Sequence, residues 1–137
     1  MIMIMIGGGV AAQVARQRKH VLNGVVLEST FSAIESLFPS WFPRVMIRDP
    51  FRTEAVLSQI DVPVLIIHGV RDETIPVAHA IKMHHIGGSK STLLLHQGTH
   101  NEMGSKDEAS YCKSIRDFVG KCNHTQSDKK VTVASRL

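Results

Sequence analysis

Four short, largely apolar runs, at residues 1–6, 24–28, 63–68 and 91–96, constrain this chain more than any other feature. A strand with one wet face alternates apolar and polar residues. These runs do not alternate, so each reads as a strand covered on both faces, the pattern of a parallel sheet. The first run stops at Gly7-Gly8-Gly9 and leads into Val10 to Arg16, which keeps small residues on one helical face, giving strand, tight turn and helix. Val77 to Ile86 has helical spacing and halts at Gly87-Gly88. Lys106 to Lys121 is amphipathic, with Tyr111, Ile115, Phe118 and Val119 on its apolar side.

This alternation predicts an α/β fold, a three-layer sandwich around a mostly parallel, doubly wound sheet of four strands. A length of 137 residues with 43% hydrophobic content suits one domain with a real core. That domain is expected to span residues 1–122, with a polar, flexible tail at 123–137. Residues 29–60 break the rhythm, setting Phe31, Phe38, Trp41, Phe42 and Phe51 among three prolines. They read as short helices lying over the strand ends, a lid-like insertion.

The formal charge of +4 comes from lysines and arginines scattered in pairs such as Arg18-Lys19 and Lys129-Lys130, not from a basic patch. With one Trp and one Tyr there is no stacking platform, so nucleic acid is not an expected partner. Cys112 and Cys122 fall in one predicted helix roughly 15 Å apart, too far for a disulfide. Asn123-His124-Thr125 has glycosylation spacing, but no charged leader with a long apolar core precedes it. The first six residues are too few to cross a bilayer. No membrane segment is therefore expected, and the chain reads as cytoplasmic. His79, His84 and His85 lack the i, i+4 spacing of a zinc pair and read as a solvated helix face, so no metal is expected.

In open α/β sheets, ligands gather beyond the carboxyl ends of the strands. Asp72 follows the third run and His100 the fourth, so both fall in that zone. A carboxylate can hold an imidazole in one tautomer and stabilise its protonated form, which lets the histidine shuttle protons in hydrolysis. Taken singly, Asp72 is a turn or cap residue and His100 a loop histidine bonded to backbone. Their order, each after a buried strand, favours an acid–base pair. The turn where a nucleophile would sit, Met5-Ile6-Gly7-Gly8-Gly9, holds no serine, cysteine or aspartate. Ser29 and Ser32 lie after the next strand, where they are expected to cap the following helix.

A competing pattern is Gly7-Gly8-Gly9-Val10-Ala11-Ala12, which fits Gly-x-Gly-x-x-Ala with Glu28 about twenty residues on, the arrangement of a dinucleotide-binding βαβ unit. It leaves Asp72 and His100 unexplained. No cofactor is therefore expected.

The segments Gly24-Val25-Val26-Leu27-Glu28-Ser29-Thr30-Phe31-Ser32, Val62 to Gly69 with Asp72-Glu73 and Ile75-Pro76, and Gly98-Thr99-His100-Asn101 together resemble the carboxyl-terminal half of an α/β-hydrolase. The similarity spans about residues 5–122 and is strongest to the branch of abhydrolase domain-containing protein 13 with its fungal and plant relatives, serine hydrolases of S33 type. The resemblance implies a serine hydrolase lineage acting on ester, thioester or amide bonds of a small-molecule or acyl substrate, with Asp72 as acid and His100 as base. The family's elbow is Gly-x-Ser-x-Gly-Gly. Aligning its paired glycines on Gly7-Gly8 sets Met5 at the serine and Met3 at the first glycine. The strands and oxyanion loop that precede the elbow in the family have no counterpart here. The expectation is thus a truncated hydrolase with an incomplete triad, weakly active or inactive alone. A non-catalytic alternative is an interaction module that pairs its first-strand edge with a second copy or a complementing chain.

Overall fold

The computed structural model describes residues 2–4, 6–18, 22–33, 52–100, 102 and 108–134, with side chains from residue 8 onward and, in the last helix, as far as residue 123. The chain divides into two compact units, Met1–Met103 and Gly104–Leu137. In the first, the order is β1 (Ile2–Ile4), α1 (Ile6–Gln17), β2 (Val25–Glu28), α2 (Thr53–Leu57), β3 (Val64–Gly69), α3 (Ala78–Gly87), a 3-10 turn (Gly88–Lys90) and β4 (Ser91–His96). The second holds α4 (Glu108–Ala134).

The strands form one sheet in the order β1-β2-β3-β4, every neighbouring pair parallel. The parallel pairing agrees with the sequence pattern: the central strands are apolar at successive positions, and a parallel sheet needs both faces covered. Side chains at alternate positions of β2 and β3 point one way, so Val25 and Leu27 lie level with Val64 and Ile66. These four join Ala11, Ala12 and Ala15 of α1, Val56 and Leu57 of α2, and Ala80 and Met83 of α3 in a single buried cluster. The small alanines let α1 lie close to the sheet. On the opposite face Val26, Leu65 and Ile67 are buried as well. Each fully buried Leu or Ile contributes about 1.5–3 kcal/mol relative to exposure.

The glycine loop of a dinucleotide site does not form, because α1 begins at Ile6, within one residue of the end of β1, and Gly7 to Gly9 lie inside the helix. Gly8 answers a packing need instead: a Cβ there would collide with the side chain of Thr30. Glu28, the acid of that reading, is buried. The last helix runs past Lys121 as far as Ala134, with no glycine or proline after Gly120 to stop it. Both cysteines lie in α4 and are free. Of the aromatic insertion, only Phe31 is described, and it is buried; Phe38, Trp41, Phe42 and Phe51 lie outside the described residues.

The histidines of α3 are not a solvated face. His79 is buried, and its Nδ1 accepts hydrogen bonds from the Ser32 backbone N–H at 3.2 Å and from the Ser32 hydroxyl at 3.0 Å. Because a backbone N–H can only donate, Nδ1 carries no hydrogen. This bond ties the loop after β2 to α3. His84 pairs its Nδ1 with the Ser91 hydroxyl at 2.7 Å, joining the end of α3 to β4, and only His85 is exposed. Among the described residues no three potential ligands gather into a metal site.

Burial pushes the His79 imidazole below the ordinary histidine range, with His68 and Lys82 acting in the same direction against Glu54. The unfolded chain therefore takes up a proton that the folded chain resists. The stability due to the neutral ring is complete above the ordinary histidine range and declines as the pH falls through it. Urea denaturation should show the midpoint dropping between about pH 7 and pH 5. His79→Asn, which keeps an acceptor near Nδ1, is expected to flatten that slope. His79→Ala strands the buried Ser32 N–H and should cost about 1–3 kcal/mol even at neutral pH.

Candidate active site

Parallel strands place their carboxyl ends at one edge, and the loops leaving β3 and β4 meet there because the pairing continues beyond the last ladder position. The Val70 N–H donates to the His96 carbonyl at 2.9 Å and the Arg71 N–H to the Gly98 carbonyl at 3.3 Å. Arg71 adds its guanidinium, with Nε 2.8 Å from the Gln97 carbonyl. This contact requires a glycine at position 69, where a Cβ would strike the Gly98 carbonyl. Two loops that only shared a sheet edge are thereby fastened together.

Asp72 follows at once. Its Oδ1 accepts the N–H groups of Thr74 at 2.9 Å and Ile75 at 2.8 Å, closing an Asx turn. Its Oδ2 lies 2.7 Å from His100 Nδ1. The turn expected of Asp72 forms on one oxygen, and the other oxygen meets His100. The contact puts a hydrogen on His100 Nδ1 and leaves Nε2 as the basic nitrogen. Asp72 is buried, and the His100 side chain keeps 12% exposure. Burial pushes the Asp72 carboxyl up, but the Ile75 N–H, His100 and the Thr74 N–H together outweigh it and hold the group below the ordinary carboxylate range.

Sequence reading passed over His68. It is the penultimate residue of β3, fully buried, with Nε2 2.8 Å from the Ile75 carbonyl and 3.5 Å from Asp72 Oδ2. The available signal was an imidazole inside an otherwise apolar strand four residues before the acid.

Ser29 is fully buried at φ +41°, and Ser32 is buried with its hydroxyl on His79. A helix directly after Ser32, which these serines were expected to cap, would fall at residues 34–51, outside the described residues; Ser32 reaches α2 through its backbone carbonyl, which accepts the Glu54 N–H at 3.0 Å. Met5 lies outside the described residues, between the strand and helix that flank it.

No family model matches the chain. It is 30% identical over 123 residues to the protein bem46 of Schizosaccharomyces pombe, covering 83% of this chain and 40% of that protein. It is 27% identical over 123 residues to the uncharacterized membrane protein YNL320W of Saccharomyces cerevisiae, covering 83% and 43%. Over 91 residues it is 26% identical to the alpha/beta hydrolase domain-containing protein WAV2 of Arabidopsis thaliana, covering 54% and 30%. The chain thus spans less than half the length of these curated relatives. Among solved structures, the Pyrococcus furiosus esterase Pf2001 superposes with a TM-score of 0.69 at 14% identity, covering 88% of this chain and 52% of the esterase.

Because the Asp72 carboxyl is lowered in the folded chain, its contribution to stability is present above the ordinary carboxylate range and is lost as the pH falls through the folded value. Denaturation below about pH 4 should therefore cost the wild-type chain stability that Asp72→Asn does not lose. Asp72→Ala removes the acceptor of two loop N–H groups and should destabilise the chain by about 2–3 kcal/mol at neutral pH, whereas Asp72→Asn, which keeps an oxygen there, should cost less, as equilibrium unfolding would measure.

Proposed function

We propose, from the premise that this chain is related to the α/β-hydrolase superfamily, that Asp72 and His100 are the acid and base of a hydrolytic triad acting on an ester, thioester or amide bond. The observation that carries this reading is the 2.7 Å contact between Asp72 Oδ2 and His100 Nδ1. In this chemistry His100 Nε2 takes the proton of an attacking hydroxyl or water as it adds to the substrate carbonyl carbon. The tetrahedral adduct then collapses, its carbon–heteroatom bond breaks, and the same proton passes to the departing group. Asp72 holds the tautomer and offsets the positive charge that appears on the ring. The lowered Asp72 carboxyl suits that role, since it stays ionised when the imidazole charges.

The residue joining β1 to α1 is Met5. A thioether has no proton to lose and cannot act as the hydroxyl nucleophile of an elbow. The buried Ser29 and Ser32 support no substitute. The reading is therefore a chain of hydrolase lineage that keeps two members of the triad and hydrolyses weakly or not at all by itself. Among the described residues no helix is long and apolar enough to cross a membrane.

The test uses an activated ester such as p-nitrophenyl acetate. Any hydrolysis by the wild-type chain should fall by about 100-fold or more in His100→Ala, the size of a lost general base. Met5→Ala should change little. Met5→Ser should raise the rate only while His100 is present. Equal hydrolysis by wild type and His100→Ala would overturn the mechanism.

A further inference from the structure

We propose that His68 is a positioning residue for the Asp72–His100 pair, holding the Ile75 carbonyl from inside the sheet so that the carboxylate meets His100 in one orientation; this rests on the acid–base reading above. The two N–H groups that fix Asp72 Oδ1 belong to Thr74 and Ile75, in the same loop as the acid. A loop that bonds only to itself can swing as a unit, and Glu73, Thr74 and Pro76 are exposed. On the amino-terminal side the Val70 N–H is tied to β4 at the His96 carbonyl, the Arg71 N–H to the Gly98 carbonyl just beyond β4, and the Asp72 N–H to the Gly69 carbonyl of β3 at 3.2 Å. On the other side the corresponding tie is Ile75, whose side chain is buried and whose carbonyl meets His68 Nε2 at 2.8 Å.

His68 is suited to anchor that point. It sits in β3, which is paired on one side with β2 and on the other with β4, and its ring is fully buried. A carbonyl can only accept, so the ring hydrogen is on Nε2. The same nitrogen lies 3.5 Å from Asp72 Oδ2, the oxygen that receives His100. The acid is thus flanked by two imidazoles, one bonded to it and one bonded to the residue that orients it. His68 Nδ1 is buried without a hydrogen-bond partner among the described residues, so Nε2 is the only ring nitrogen through which this side chain acts there.

The position can be tested without relying on turnover. In the isotopically labelled wild-type chain, nitrogen NMR should place the His68 hydrogen on Nε2, with a scalar coupling across to the Ile75 carbonyl; a hydrogen on Nδ1 alone would overturn the proposal. The second readout is water exchange of the His100 Nδ1 hydrogen. His68→Leu, which fills space but donates nothing, should speed that exchange by about tenfold or more, as expected for losing one buried hydrogen bond. His68→Gln, whose amide nitrogen reaches the Nε2 position, should restore slow exchange. A folded His68→Leu chain with wild-type exchange would overturn the role. Asp72→Asn, measured alongside, separates the two claims. If it leaves the His100 hydrogen unaltered, the acid–base pair itself fails and the positioning role fails with it. If it speeds exchange while His68→Leu does not, the pair stands and only His68 is dismissed.

Discussion

One oxygen of Asp72 holds its own loop and the other holds His100, and the site depends on that division. Oδ1 accepts two backbone N–H groups, so the carboxylate cannot rotate without breaking the turn. Oδ2 is then committed to a fixed direction, and His100 Nδ1 lies along it at 2.7 Å. Structure and chemistry here are the same bonds. The donors that close the turn also hold the carboxyl ionised, which is the state an imidazole partner needs.

The contact across the loops comes from the parallel sheet. Because β3 and β4 run in the same direction, their following loops leave from one edge, and the bonds from Val70 to His96 and from Arg71 to Gly98 extend the pairing beyond the strands. The missing side chain at Gly69 permits that approach. Residues twenty-eight positions apart are thereby brought within a hydrogen bond by backbone geometry, with side chains completing the contact.

Three buried or half-buried histidines outside the pair, His68, His79 and His84, act as fasteners between elements. His79 holds the loop after β2 to α3, His84 holds the end of α3 to β4, and His68 holds the loop that carries the acid. Each uses a single ring nitrogen against a hydroxyl, an amide or a carbonyl. An imidazole can do this inside a core because its neutral form needs far less hydration than a fixed charge. At His79 that burial holds the ring below the ordinary histidine range and makes this fastener sensitive to acid.

The class of the fold, the parallel pairing and the strand-end positions of Asp72 and His100 were legible in the sequence, because continuous apolar runs have no other economical burial and because loops after such strands share one edge. The relatives agree with that reading of the fold. Local pattern could not show that Gly7 to Gly9 enter a helix instead of cradling a phosphate, since that depends on Thr30 packing against Gly8 across the chain. Nor could spacing along α3 reveal that His79 faces inward to Ser32, forty-seven positions away. Periodicity reports which side of an element is buried; the partner waiting on that side is set by how elements distant in the chain come to pack, and only the tertiary structure decides it.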